Sequence, residues 1–181
     1  MAIRKDESDT EISQQSNGLD GSGEFTLRPA YASDTNAILE LINGYAAENL
    51  MLQRGPKYLY ESIRDFVVVE AKAENGSPKV VACGSIHVLW EDIAEIRSVA
   101  VDQDYQHRGF GSEIVRYLIK EAQKIKIDKV FAFTLEQEFF IKLGFKLKEE
   151  QALPSKVWDE CVHCPKYFQC DETGLIFDTS R

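Results

Sequence analysis

The segment from residue 93 to residue 126 constrains the fold more than any other part of the chain. Ile93–Val101 is rich in apolar and β-branched residues, which favours a strand. A glycine-containing turn follows, and from Phe110 to Lys126 apolar residues recur at helical spacing: Ile114, Val115, Leu118, Ile119, Ala122 and Ile125. A strand that leads into an amphipathic helix packs that helix on a sheet, so we expect an α/β protein.

The remaining patterns predict a mixed central sheet with helices on both faces. Phe66–Glu70 and Val80–Leu89 are β-rich and are separated by Asn75-Gly76, which predicts a hairpin. Further strands are predicted at Phe25–Arg28, Lys129–Thr134, Phe145–Lys148 and Leu175–Asp178. Further helices are predicted from Ser33 to Tyr45, over 57–65, over Gln137–Leu143 and after Pro154. A hairpin first and a strand–helix–strand crossover second give the mixed sheet.

The chain's length and composition suit one domain behind a polar tail. Residues 1–24 are rich in Ser, Gln, Asp and Gly, so we expect a disordered tail, with one domain over 25–181. No apolar run is long enough to cross a bilayer and the N-terminus does not resemble a signal peptide, so we expect a cytoplasmic location. The formal net charge of −9 argues against nucleic-acid or membrane partners.

A short loop before the long helix has the features of a phosphate site. In Gln106-His107-Arg108-Gly109-Phe110-Gly111, the glycines permit close backbone approach, and the loop enters the positive end of a helix. Arg108 and His107 add basic groups. It is neither a Walker loop nor a Rossmann fingerprint. Taken alone, two glycines in a turn would explain it equally well.

In context, the string VAVDQDYQHRGFGSEIVRYLI (99–119) resembles the acetyl-CoA signature of the GNAT acetyltransferase superfamily. FFIKLGF (139–145) resembles its final motif and TLRPAYASD (26–34) its first strand and loop. The resemblance covers about residues 25–149. It implies the GNAT fold, with acetyl-CoA as co-substrate. It also implies that the cofactor-binding residues are Val99, Ala100 and Val101 at the pantetheine arm, and Gln106, His107, Arg108, Gly109, Phe110, Gly111 and Ser112 at the pyrophosphate.

Three further stretches narrow the resemblance within that superfamily. Residues 46–63, 93–101 and 149–158 are similar to the acetyltransferase domain of N-acetylglutamate synthases, in the compact versions without a kinase-like domain. The cysteine-containing ending, ECVHCPKYFQCDE (160–172), resembles the same group. The implied reaction is acetylation of the α-amine of L-glutamate, the first step of arginine biosynthesis. Another small amine, a protein N-terminus and a non-catalytic acetyl-CoA sensor remain alternatives. Compact GNAT proteins often form dimers through their sheets, so we expect a homodimer.

The attacking amine must lose a proton, and a carboxylate can accept it. Glu95 is the candidate base by its place in the motif, although a solvated strand glutamate is the ordinary alternative. The backbone N–H of Val99 is the candidate oxyanion donor. The family's usual tyrosine acid is replaced by Phe139-Phe140, which leaves the general acid unassigned. Thr134 is the nearest hydroxyl, for which a structural role is favoured.

Binding glutamate requires basic groups for its two carboxylates. Arg54 and Lys156 match the family's basic positions, and Arg97 shares a strand face with Glu95 by alternation. Each could instead be a surface cation. Residues 150–181, which carry Lys156, are expected to form an extension that closes the acceptor site.

The four cysteines fall into two groups. Cys83 lies in an apolar run and is expected to be a core residue. Cys161, Cys164 and Cys170 could hold a structural metal or remain reduced thiols. We assign no metal.

Overall fold

A seven-stranded mixed sheet organises the computed structural model, which describes residues 24–72, 78–148, 166 and 169–180. The strand order across the sheet is β1-β2-β3-β4-β5-β7-β6. The strands are β1 (Phe25–Pro29), β2 (Phe66–Lys72), β3 (Pro78–Val88), β4 (Ile93–Val101), β5 (Lys129–Thr134), β6 (Lys146–Leu147) and β7 (Thr173–Asp178). The α-helices are α1 (Thr35–Ala47), α2 (Pro56–Ser62), α3 (Phe110–Lys124) and α4 (Gln137–Lys142).

The pairing of the strands confirms the predicted hairpin and crossover. β1 to β4 form successive antiparallel pairs, and β5 lies parallel to β4 after the α3 crossover. The last strand, β7, is antiparallel to both β5 and β6 and lies between them. The C-terminal part of the chain therefore completes the sheet.

Helices cover both faces of the sheet, as predicted. On one face α3 packs against β2, β3 and β4 through Ile114, Val115, Leu118, Ile119 and Ala122, which are all buried. On the other face, Ile38 and Ile42 of α1 and Leu59 of α2 pack against Phe66, Val68, Cys83 and Ala100. Cys83 is thus a core residue, as expected, and burial raises the pKa of its thiol to about 12.

The prediction that Ile125 continues the apolar face of the long helix is wrong. α3 ends at Lys124, and Ile125 follows as its cap with 56% of its surface exposed. Lys126 then adopts a left-handed backbone conformation, with φ of 61°. The helix therefore turns away before Ile125 can reach the sheet.

A β-bulge interrupts the β3–β4 pair close to the centre of the sheet. Cys83 lies opposite Ala100, but Ser85 lies opposite Arg97, so the register shifts around Gly84. Within the bulge Ser98 has a positive φ of 55°. The bulge changes the direction of β4 beside the point where the candidate site begins.

Other predictions are confirmed with small changes of boundary. α4 ends at Lys142, β6 covers two residues, and 57–65 forms α2 followed by a 3-10 turn (Ile63–Asp65). Arg28 braces the first strand by pairing with Asp34 at 2.7 Å and Glu70 at 2.5 Å. Residues 1–23, the Asn75-Gly76 turn and the segment after Pro154 lie outside the described residues. Among the described helices, none has the length and apolar character needed to span a membrane.

Candidate functional site

The central strands β4 and β5 separate after Glu95, the residue predicted as the base. Their parallel pairing joins Ile93 to Lys129, Ala94 to Val130 and Glu95 to Phe131, and it ends there. β4 nevertheless continues to Val101. A gap therefore opens between the two strands, and it exposes the edge of β4 that carries Val99 and leads to the glycine loop.

The glycine loop is held in shape by its own side chains and by α1. Asp102 accepts a hydrogen bond from the backbone N–H of Asp104 (3.0 Å), which starts the 3-10 turn Gln103–Tyr105. The Gln106 amide donates to the Tyr45 hydroxyl (2.7 Å), and that hydroxyl donates to the carbonyl oxygen of Val101 (2.5 Å). Tyr45 thus joins the end of β4 to the loop by occupying the carbonyl oxygen of Val101, one of the residues expected at the pantetheine arm.

The backbone of the loop turns through left-handed conformations into α3. His107 has a φ of 60°, and Gly109, the N-cap of α3, has a φ of 83°. A residue with a side chain is strained at such angles, which explains why glycine precedes Phe110. The first N–H groups of α3 have no partners within the helix and, with the helix dipole, favour an anion.

A cleft of about 510 Å³ lies at this end of α3 and is lined by Arg108, Gly109, Ser112 and Arg116, together with Glu24 and Glu113, of which Glu113 pairs with Arg116 at 2.7 Å. The Arg108 guanidinium lies 5.1 Å from the centre of the Tyr105 ring. Arg116 was not predicted from the sequence as a residue of this cleft, although it follows Ser112 by four residues, which places both on one helix face. The Phe110 side chain packs against Phe25 in the core, with ring centres 4.8 Å apart, so Phe110 offers only its backbone to a ligand.

A second cluster of charged side chains lies on the opposite face of the sheet, beneath α2. Glu95 is buried, and Arg97 contacts its Oε2 through Nε at 2.8 Å and through a terminal nitrogen at 2.6 Å. Each side chain is 10% exposed. Alternation along β4 predicted this shared face, and the ion pair orients the carboxylate.

Arg54 reaches the same cluster from the loop before α2. Its backbone is fixed by Asn43, whose side chain accepts from the Arg54 N–H (2.9 Å) and donates to the Arg54 carbonyl (3.0 Å). The Arg54 guanidinium lies over the Tyr58 ring, 4.3 Å from its centre. Lys156, the third predicted basic residue, lies outside the described residues.

The histidine at the centre of this cluster, His87, was not predicted from the sequence as a site residue. His87 lies opposite Glu95 in the β3–β4 pair, and its Nε2 is 3.0 Å from the Ser85 hydroxyl and 3.2 Å from the Tyr58 hydroxyl. Burial lowers the pKa of His87 to about 3, with smaller contributions from Arg97 and Arg54. The alternation of Ser85 and His87 in the predicted hairpin was the available signal, but it needed the register of the pair.

The structure gives Thr134 a structural contact. Its hydroxyl accepts a hydrogen bond from the backbone N–H of Glu136 (2.9 Å), at the start of α4. Among the C-terminal cysteines, Cys161 and Cys164 lie outside the described residues, and the Cys170 sulfur lies 3.9 Å from a Glu172 carboxylate oxygen. The described ranges hold no cluster of three or more metal-ligating side chains, and the metal alternative for the cysteine group is untested.

The sequence model of the acetyltransferase (GNAT) family matches residues 36–145, more than half of the 181-residue chain. The chain belongs to the GNAT acetyltransferase family. Over 154 residues it is 34% identical to an uncharacterized N-acetyltransferase of Chlorobaculum tepidum, covering 83% of this chain and 94% of the relative. Over 134 residues it is 40% identical to an amino-acid acetyltransferase of Mycobacterium tuberculosis, covering 74% and 75%.

Solved structures of GNAT proteins confirm the predicted fold. A Mycobacterium tuberculosis protein solved in complex with CoA superposes with a TM-score of 0.69 and 32% identity, covering 84% of this chain and 98% of that one. N-acetylglutamate synthase from Neisseria gonorrhoeae, complexed with coenzyme A and N-acetyl-glutamate, gives a TM-score of 0.74 at 23% identity, covering 87% and 35%. At this identity, the similarity to the Neisseria gonorrhoeae structure shows a shared fold alone. The chain is thus a GNAT enzyme with acetyl-CoA as its co-substrate, as predicted.

Proposed function

We propose that this GNAT enzyme transfers the acetyl group of acetyl-CoA to the α-amine of L-glutamate, the first step of arginine biosynthesis. An amino acid as acceptor is supported by the Mycobacterium tuberculosis relative named amino-acid acetyltransferase. One observation carries the choice of glutamate: in a protein of net charge −9, Arg97 pairs with the buried Glu95, and Arg54 lies close to His87, which is opposite Glu95 in the sheet.

The charges of this cluster fit an anionic acceptor. Arg54 and Arg97 are both close enough to His87 to lower its pKa, so the cluster holds two cations, one neutral imidazole, the Glu95 carboxylate and, beside the imidazole, the Asp65 carboxylate. Arg97 is neutralised by its ion pair with Glu95, and we assign Arg54, stacked on Tyr58, as the cation that attracts a ligand carboxylate. A polyamine would instead require an excess of acidic groups.

In the proposed reaction, one face of β4 is used for binding the co-substrate and the other for binding and deprotonating the acceptor. The glycine loop and the cleft at the N-terminal end of α3 hold the pyrophosphate end of the co-substrate, which supplies the acetyl thioester. Glu95 accepts the proton of the substrate ammonium, directly or through water, so that the amine can attack the thioester carbonyl. The backbone N–H of Val99 stabilises the resulting oxyanion. When this tetrahedral intermediate collapses, the C–S bond breaks, coenzyme A leaves as its thiolate, and the thiolate takes a proton through water.

The proposed acceptor contacts are divided among the three basic residues. Arg54 binds one glutamate carboxylate, because its guanidinium is presented at the cluster by Tyr58 and Asn43. Arg97 orients Glu95 and lies next to the same ligand. Lys156, in the extension 150–181, remains a proposed third contact from family resemblance.

A substrate panel tests the proposal. Purified enzyme would be incubated with acetyl-CoA and separately with glutamate, glutamine, aspartate, lysine, spermidine and a short peptide, and N-acetylated products would be quantified by mass spectrometry. We expect the highest kcat/KM for glutamate. Faster acetylation of spermidine or the peptide would refute the glutamate assignment, and release of no product from any amine would favour a sensor.

A further inference from the structure

His87 is buried at the junction of three elements of the acceptor cluster. It lies on β3 opposite Glu95, contacts Tyr58 of α2 and Phe66 of β2, and its side chain is 12% exposed. Its Nε2 faces the two hydroxyl groups of Tyr58 and Ser85, and its Nδ1 lies 3.5 Å from Oδ2 of Asp65. Both ring nitrogens therefore have polar neighbours.

Burial and the two nearby arginines favour the neutral form of His87. Arg54 and Arg97 face it as cations, while Glu95 lies across the strand pair and Asp65 approaches from the turn after α2. Burial is the largest cause that lowers the pKa of His87, to about 3. A neutral imidazole can donate from one nitrogen and accept at the other, so it can join hydroxyl groups without adding a third buried cation.

Tyr58 transmits the position of His87 to Arg54. The Tyr58 hydroxyl is anchored at Nε2 of His87, and the face of the same ring supports the Arg54 guanidinium at 4.3 Å. Asn43 fixes the Arg54 backbone, and the Tyr58 ring lies under the charged end of the Arg54 side chain. A Tyr58 ring that loses its hydroxyl anchor can tilt, and the guanidinium above it then moves.

We propose that His87 and Tyr58 are positioning residues for the acceptor. They connect Arg54 to the strand pair that carries Glu95, and so set the distance between the carboxylate-binding group and the base. This inference rests on the proposed function for the identity of the acceptor, but the geometry requires only that Arg54 binds an acceptor carboxylate.

The test uses Tyr58→Phe, which keeps the ring and removes the hydroxyl. We expect KM for glutamate to rise about three- to tenfold, as for loss of one hydrogen bond, and the preference for glutamate over glutamine to change. KM for acetyl-CoA should remain within about twofold, because the loop and cleft at α3 lie on the other face of the sheet. Tyr60→Phe is the matched control, since Tyr60 is on the same helix and 56% exposed.

A second pair of variants separates positioning from simple folding. His87→Gln retains an amide that can bond both hydroxyls and should keep KM for glutamate near the wild-type value, whereas His87→Leu should raise it at least as much as Tyr58→Phe. Acetyl-CoA affinity, measured by calorimetry, reports whether each variant is folded. Parallel losses in acetyl-CoA affinity and glutamate KM, or equal behaviour of Tyr58→Phe and Tyr60→Phe, would overturn the proposal.

The two proposals fail separately. If the wild-type enzyme acetylates a different amino acid, the glutamate assignment is wrong, and the same four variants are then measured with that amino acid. A selective rise in its KM would still support positioning by His87 and Tyr58, and an unchanged KM would refute it.

Discussion

Gly84 offers the sharpest test of how α3 is seated on the sheet. A methyl group added at Gly84 would lie 2.5 Å from Cγ2 of Ile114, and 3.4 Å and 3.5 Å from atoms of Val99 and Leu118. Ile114 is fully buried, so it cannot move aside without displacing other core atoms. Gly84→Ala should therefore lower the free energy of unfolding by about 1–3 kcal/mol, as overpacking does.

The clash also has a functional consequence. Ile114 lies in the first turns of α3, just after the loop and the cleft at Gly109 and Ser112. Moving that end of the helix changes the direction of its N–H groups, so acetyl-CoA should bind more weakly in Gly84→Ala. Urea denaturation followed by circular dichroism gives the stability, and calorimetry gives the affinity.

Two controls make the reasoning refutable. Gly44→Ala is the same chemical change in an exposed position of α1, where an added methyl has no neighbour within 4 Å; it should raise stability by roughly 0.5–1 kcal/mol. In an Ile114→Ala background, the cost of Gly84→Ala should largely disappear, because the clashing atom is gone. An equal cost in both backgrounds, or a Gly84→Ala variant as stable as wild type, would refute the close packing of α3 on β3.

Three further predictions concern the two faces of the site. Glu95→Gln should lower kcat by roughly 10²–10⁴ with acetyl-CoA affinity nearly unchanged, and the loss should shrink at high pH; full activity with a flat pH response would exclude Glu95 as the base. Gly109→Glu and Gly111→Glu should each abolish acetyl-CoA binding in a folded protein, measured by calorimetry, because the new charge repels the pyrophosphate; unchanged binding would contradict the loop assignment. The pKa of His87 is lowered to about 3, so the unfolded chain binds a proton at this histidine more tightly than the folded protein does. The contribution of His87 to the free energy of unfolding is therefore fully present above about pH 6.5. It falls as the pH decreases, by about 2 kcal/mol at pH 5. His87→Gln should reduce that slope in pH-dependent urea denaturation, and an unchanged slope would contradict a neutral, buried His87.

The parts of the fold with strong local patterns could be predicted from the sequence. The apolar stripe of α3 predicts both the helix and its buried side, because helical spacing alone decides which residues face the sheet. The end of that helix could not be predicted: Lys126 turns the backbone with a φ of 61°, and no glycine marks the stop. Ile125 therefore looked like a core residue.

Some contacts of the candidate site could likewise be predicted from the sequence, and others could not. Glu95 and Arg97 are two residues apart on one strand, so alternation places them together. His87 and Tyr58 come from other elements, and their meeting depends on a register that shifts at the Cys83–Ser85 bulge. The gap between β4 and β5 likewise depends on where pairing stops, which no local pattern in the sequence records.

The measurement that tests the glutamate assignment most directly is the steady-state kinetics of Arg54→Ala beside Arg64→Ala. Arg64 is an exposed arginine in the turn after α2 and serves as the matched control. If Arg54 pairs with a glutamate carboxylate, its removal should raise KM for glutamate roughly ten- to a hundredfold, the loss of a charge-assisted pair. KM for acetyl-CoA should stay unchanged, and Arg64→Ala should resemble wild type. Small and equal effects of Arg54→Ala on both substrates would contradict the account, because Arg54 would then contact no acceptor carboxylate.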